Sequence, residues 1–316
     1  MIDALSKAFF HTLAGRPTLK RLASRYGMRR PESFARRFIA GETVDEAIDA
    51  ARVLEAHGLS VTLDYLGESV ANAAGADAAT RAYLAVVERI AAAGITRNIS
   101  LKLTQLGLTV DRATGVDNLR RILDAAASHA FFVRIDMEDS AYTQVTLDVF
   151  DTIWQQGYRN AGVVLQSYLP RSEPDAAALI ALGARVRLVK GAYNEPRGVA
   201  YQAKADVDAA YIRIMEALLA GGQYPAIGTH DPKMIEATRA FARAHGIAAD
   251  RFEFQMLYGI RRDLQAALVA DGYRVRVYVP FGQEWFPYFM RRLGERPANV
   301  GFVLRGLLRE RRQRQA

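Results

Sequence analysis

Eight short apolar or β-branched runs recur along this chain, and that repetition limits its fold more than any other feature. They read LSVTLDYLG, NISLKLTQLG, FFVRIDM, AGVVLQSY, RVRLVKGAY, YPAIGTHD, FEFQMLYG and RVRVYVPFG. Each has the length and residue bias of a strand. Between them lie Ala-rich segments of helical spacing, such as VDEAIDAARVLEAHG and ATRAYLAVVERIAAAG, several ending in the Gly that a helix C-cap favours. Strand starts fall roughly every 20 to 40 residues, the spacing of βα units. Eight units in 316 residues predict an α/β fold, a (β/α)8 barrel of the TIM type, which typically takes about 250 residues. A doubly wound sheet would put fewer strands in line and open with a Gly-rich turn, and the GxGxxG fingerprint is absent. The excess is N-terminal: SKAFFHTLA, TLKRLASRYG and PESFARRFIAG read as extra helices, the last two ending at Gly27 and Gly41. The expected organisation is a single domain over 1–316, with a helical segment over 1–42, the barrel over 43–305 and a basic tail over 306–316.

Half the residues are hydrophobic, ample for one core, and there is no cysteine. Disulfides, thiolate metal sites and cysteine nucleophiles are therefore excluded, and a reducing cytoplasm is compatible. No signal peptide is read at the start, and no apolar run approaches the roughly 20 residues that span a bilayer. The net charge of +8 is unevenly spread. Arg16 to Arg37 carries +7 and Arg305 to Ala316 carries +4, so the remainder is acidic by three. No nucleic-acid reading module accompanies these basic segments, and solvated helix faces are the commoner meaning of a charge run. A weak electrostatic attraction to an anionic membrane surface is the sharper reading.

Barrel enzymes place their chemistry at the C-terminal ends of the strands, and here those ends are polar throughout. In order they offer Asp64 and Glu68, Lys102, Asp136, Gln166, Arg187 with Lys190, Thr229-His230-Asp231, Gln255 with Tyr258, and Tyr278. After the last strand, Arg291 and Arg292 stand side by side with Tyr288 upstream and Glu295 downstream. Paired guanidiniums beside aromatic rings suit a small anion, because the Arg fork matches a carboxylate or phosphate. A zinc hydrolase is disfavoured, since of five histidines only His230 lies at a strand end. Neither G-x-S-x-G nor a P-loop is present. A Schiff-base aldolase using Lys102 or Lys190 stays open, as does flavin chemistry, to which a cationic site is suited. A flavin reductase of the methylenetetrahydrofolate reductase type and a basic nucleic-acid-binding protein are the remaining alternatives.

The motifs RLVKGAY (Arg187 to Tyr193), THD (Thr229 to Asp231), QMLYGIR (Gln255 to Arg261) and YVPFG…W.PY..RRL.ER (Tyr278 to Arg296) resemble the proline dehydrogenase family, from about Leu59 to Arg305. The resemblance implies a distorted (β/α)8 barrel that binds FAD without a Rossmann module, in the monofunctional bacterial form. It implies oxidation of L-proline to Δ1-pyrroline-5-carboxylate, the first step of proline degradation to glutamate, by hydride transfer to flavin N5 with a membrane quinone as acceptor. Residue by residue, it implies that Arg291, Arg292 and Lys102 hold the proline carboxylate while Tyr278, Tyr288 and Leu257 pack the ring. Asp136 would sit by Lys102, Arg187 would lie near flavin N5, and Glu68 would pair with a clamp arginine as a gate. Met137, Gln166, Lys190, Gly191, Ala192, Thr229 and His230 would line the FAD, with Glu295 orienting an arginine or reaching the cofactor. No metal and no nucleic acid are expected. The location implied is the cytoplasm, with peripheral contact at the inner face of the membrane through the basic termini.

Overall fold

The computed structural model describes Met28 and residues 33–295, the side chains of 34, 294 and 295 excepted. The eight runs are eight strands, and they close into one barrel in sequence order. They are β1 (Ser60–Tyr65), β2 (Asn98–Leu101), β3 (Phe132–Ile135), β4 (Ala161–Gln166), β5 (Arg185–Val189), β6 (Ala226–Gly228), β7 (Glu253–Leu257) and β8 (Val275–Phe281). Every neighbouring pair is parallel, and β8 closes on β1 with Thr62 opposite Tyr278 and Asp64 opposite Pro280. The expected barrel is borne out.

Nine α-helices lie among the described residues: α1 (Val44–Glu55), α2 (Ala73–Ala93), α3 (Arg112–Ser128), α4 (Ser140–Gln155), α5 (Ser172–Ala181), α6 (Lys204–Gly221), α7 (Pro232–Ala244), α8 (Arg262–Ala270) and α9 (Trp285–Glu295). Polar caps start several of them. Thr43 and Glu46 form a capping box on α1, and Asn72, Asp111, Asp139 and Asp231 accept from first-turn amides of α2, α3, α4 and α7. Their buried faces meet the strand exteriors in one core that includes Ile48, Leu63, Val87, Ile99, Leu119, Val133, Phe150, Leu188, Met215 and Val277.

The barrel departs from regularity at its closing seam. α1 precedes β1 and packs on β1, β8 and α2, the outer position that a helix following β8 would fill. The helix that does follow β8, α9, packs elsewhere: Trp285, Phe286, Tyr288, Phe289, Met290 and Leu293 bury against Met28, Ala35, Phe38, Ile39 and Leu66. Leu66 follows the C-terminal end of β1, so α9 lies over the barrel mouth. Residues 33–41, read from sequence as part of a helix, form only a single 3-10 turn (Phe34–Arg37), closed by Phe38 N and Ile39 N on Ala35 O. Ala40 N donates to Pro280 O at 2.9 Å and Gly282 N to Gly41 O at 3.0 Å, so pairing with the end of β8 wins over helix propagation. Gly259 accommodates this segment. Its φ is +72°, and a Cβ there would stand 1.6 Å from Arg37 O. The rest of the N-terminal helical segment and the basic tail lie outside the described residues.

Candidate active site

Alternate residues of each strand point into a barrel, so polar residues two apart occupy stacked layers. At the floor, Arg276 Nε and Nη2 donate to Glu253 at 2.8 and 3.0 Å, and Arg276 Nη1 donates to Val61 O at 2.8 Å. Gln255 and Tyr224 also donate to Glu253. Despite burial, these partners hold the Glu253 carboxyl below its usual range.

One layer higher, Arg187 spans the barrel from β5. Its Nη1 donates to Asp136 Oδ1 at 2.6 Å, its Nη2 to Ser100 Oγ at 3.0 Å, and its Nε to Gln255 Oε1. The Tyr278 hydroxyl donates to Asp136 Oδ2 at 2.8 Å, and the guanidinium carbon of Arg187 lies 5.4 Å from the centre of the Tyr278 ring. Asp136 binds Arg187 and Tyr278 directly, and its charge also acts on Lys102, by which the sequence reading put it. The direct ion-pair partner of Lys102 is Asp64, Nζ to Oδ2 3.5 Å, both side chains buried. The Tyr278 hydroxyl, which binds Asp136, also faces Asp64. Burial lifts the Asp64 carboxyl, against the pull of Lys102. Burial alone would lower the Lys102 ammonium, but Asp64, Glu68 and Asp136 together raise it above its ordinary value. A lysine held protonated in this way is a poor Schiff-base nucleophile.

The rim is built by the loop after β1 and by α9. Arg291 Nη1 and Nη2 donate to the two oxygens of Glu68 in a bidentate pair, at 3.1 and 2.5 Å. Burial would lower the Arg291 guanidinium, but Glu68 raises it. Arg292 is buried, with its guanidinium carbon 5.0 Å from the centre of the Tyr288 ring. Arg291 thus meets a carboxylate and Arg292 an aromatic ring, and Tyr288 acts on Arg291 as well.

On the far wall, Gln166 Nε2 donates to Glu138 O at 3.2 Å, while the buried Gln166 Oε1 accepts nothing. Gly191, at φ +108°, lies so close to the Tyr168 ring that a Cβ would stand 2.5 Å from it. Lys190 Nζ is committed to Asp208 and Asp231, the latter at 2.7 Å. Against the cost of burial, that contact and the Lys233 amide hold Asp231 down at about 2. His230 Nε2 accepts from Leu257 N at 2.8 Å, which places the proton of a neutral ring on Nδ1. Thr229 and Met137 are buried, and Ala192 is half-buried. The Glu295 side chain lies outside the described residues. Among the described residues no cluster of three or more His, Asp or Glu is placed to hold a metal.

Two side chains of this mouth were missed by the sequence reading. Burial raises the Tyr193 hydroxyl, which senses Arg291, Glu68, Lys102 and Glu138. Glu138 is itself buried and accepts from Thr104 N at 3.1 Å and Thr104 Oγ1 at 2.5 Å. Burial lifts its carboxyl to about 7 against those bonds and Lys102. The signal for Tyr193 was its place within RLVKGAY. Glu138 had none beyond lying three residues past the end of β3.

A proline dehydrogenase family profile matches residues 47–305. The chain belongs to the proline dehydrogenase family. It is an oxidoreductase of proline catabolism built on a (β/α)8 barrel. It is 44% identical over 313 residues to the proline dehydrogenase of Deinococcus radiodurans, covering 98% of this chain and 100% of that one. To proline dehydrogenase 2 of Bacillus subtilis strain 168 it is 42% identical over 306 residues, covering 97% and 100%. Among solved structures it is similar to proline utilization A of Bdellovibrio bacteriovorus inactivated by N-propargylglycine, with a TM-score of 0.77 and 28% identity. That match covers 82% of this chain and 32% of the other, so the chain spans about a third of the larger protein.

Proposed function

We propose that this enzyme oxidises L-proline to Δ1-pyrroline-5-carboxylate with bound FAD, in the first step of proline degradation to glutamate, and passes the electrons to a membrane quinone. The observation that carries the reading is the cationic mouth. Lys102 is held as an ammonium and senses Glu68, which pairs with Arg291, while Arg187 lies by the Tyr278 ring and Arg292 by the Tyr288 ring.

In this reading Arg291, Arg292 and Lys102 hold the substrate carboxylate, and Tyr278, Tyr288 and Leu257 pack the pyrrolidine ring. Charge-assisted bonds to the carboxylate fix the substrate in one orientation, so an encounter becomes an oriented reaction. Asp136 orients two neighbours at once, Arg187 through Nη1 and Tyr278 through its hydroxyl. The Tyr278 proton is thereby engaged, and Tyr278 serves in packing rather than as a base. Tyr193 faces the same charges and completes the wall. Glu68 pairs with Arg291 as a gate over the bound substrate.

The residues fit a flavin. Gln166 Oε1 is a buried acceptor without a donor, and Gly191 keeps the backbone free of a side chain beside Tyr168. FAD, when bound, supplies the hydride acceptor. Met137, Gln166, Arg187, Lys190, Gly191, Ala192, Thr229 and His230 would hold it, with Glu295 at the edge. Arg187 brings a cation, the charge that favours an electron-rich ring. No helix among the described residues is long and apolar enough to cross a membrane. Contact with a quinone-bearing membrane would rest on the basic termini, which flotation with anionic liposomes at low salt tests. A visible spectrum before and after anaerobic addition of L-proline tests the main reading. Flavin bands that bleach are expected, and bands left intact would remove proline as substrate.

A further inference from the structure

We propose that Glu138 is a positioning residue for the Glu68–Arg291 pair and acts on it through Thr104. The proposal rests on the reading that Arg291 holds the substrate carboxylate. Both oxygens of the buried Glu138 carboxyl go to one residue, accepting from Thr104 N at 3.1 Å and Thr104 Oγ1 at 2.5 Å. The same threonine fixes the loop after β1. Its Oγ1 accepts from Ser69 N at 3.2 Å, and its carbonyl accepts from Val70 N at 3.2 Å. The hydroxyl therefore runs in one direction, taking a hydrogen bond from Ser69 and giving one to Glu138.

Ser69 needs such a hold. Its φ is +49°, a left-handed conformation that a residue with a Cβ keeps only where its surroundings impose it. Glu68 precedes it directly and takes both Nη atoms of Arg291. The loop has a second contact with the same turn, since a Cβ on Gly67 would meet Gln105 Nε2 at 2.4 Å. Glu138 is in turn fixed from β4, where Gln166 Nε2 donates to its carbonyl. A continuous chain of bonds thus runs from Gln166 through Glu138, Thr104 and Ser69 to Glu68 and Arg291. Glu138 sets the height of the loop, and the loop sets the direction of the Arg291 fork.

The test combines proline kinetics of the flavin-loaded enzyme with amide exchange of the loop. Misplacing a binding group by an ångström is enough to weaken binding at least tenfold, so Glu138→Ala raises KM about tenfold and leaves kcat within about twofold. Glu138→Gln restores most of KM, because its amide oxygen accepts from Thr104 N and its NH2 donates to Thr104 Oγ1, which turns its own proton away and still accepts from Ser69 N. Thr104→Val keeps the side-chain shape, removes the hydroxyl and raises KM likewise, which keeps the proposal testable should Glu138→Ala not fold. The double variant Glu68→Ala/Glu138→Ala keeps the KM of Glu68→Ala, since both changes act on one pair. Exchange at Ser69 and Val70 quickens in Glu138→Ala and not in Glu138→Gln. A fall in kcat at unchanged KM, additive effects in the double variant, or unchanged exchange at Ser69 overturns the proposal. If Arg291→Ala leaves KM unchanged, the substrate-site reading falls first. If Arg291→Ala raises KM and Thr104→Val does not, the positioning role alone falls.

Discussion

The floor and the mouth of this barrel are built from the same kinds of residue and behave differently. At the floor, Glu253 is buried and held below the usual carboxylate range, because Arg276, Gln255 and Tyr224 donate to it. At the mouth, Asp64 is as deeply buried and is lifted, because burial outweighs the pull of Lys102, 3.5 Å away, and of the Tyr278 hydroxyl. The floor carboxylate has its partners inside the protein. The mouth leaves Gln166 Oε1 as a buried acceptor without a donor. At the floor the carboxylate is saturated by charged and polar donors of the protein, and at the mouth Asp64 is not.

The sharpest way to break this comparison is to remove one floor charge and one mouth charge. Glu253→Ala leaves Arg276 buried without its carboxylate, so the expected loss in urea denaturation is about 3–5 kcal/mol. The KM for proline should stay unchanged in whatever fraction folds. A loss below about 1 kcal/mol would mean that the floor network is dispensable. Arg291→Ala or Arg292→Ala should do the reverse. Each charge-assisted bond to a carboxylate is worth about 1.5–3 kcal/mol, which is a KM increase of about ten- to hundred-fold. Stability should change little, and a variant that loses stability but keeps its KM would move that arginine from the mouth's class to the floor's.

Sequence carried the barrel and most of this division. Strand length, period and Gly punctuation are local properties, and all eight runs became strands. The polar strand ends were legible too, because barrel chemistry gathers at one end of the sheet. Beyond the Glu68–Arg291 pair, the partners were not. Asp136 meets Arg187 and Tyr278, and Lys102 meets Asp64, because reach across a barrel depends on stagger between strands far apart in sequence. The run from Phe38 to Gly41 was read as helix because its own residues favour one; the pairing of Ala40 and Gly41 with the end of β8 is a tertiary override. The place of α1 at the seam and of α9 over the mouth is likewise a packing result, since both carry an amphipathic pattern that says which face is buried and not against what.

The finest test is the pH dependence of Glu138, a mouth carboxyl that does accept hydrogen bonds, from Thr104, and is still lifted to about 7 by burial. An unfolded glutamate titrates at about 4.3. The folded state therefore binds the proton more tightly than the unfolded one. Stability from this group is fully present below about 4.3 and is lost as pH rises towards 7, after which it stays flat. Glu138→Gln keeps both bonds to Thr104 and carries no proton to lose. Denaturation curves of the two proteins should coincide near pH 4 and separate between pH 5 and 7, with the variant the more stable at pH 8. One pKa unit corresponds to about 1.4 kcal/mol, so a gap on the order of 1 kcal/mol is expected once neighbours relax. Parallel curves throughout would mean that burial does not lift Glu138, and a gap that opens only below about pH 4.3, with the variant then the more stable, would mean that it is held ionised as Glu253 is and belongs to the floor's class.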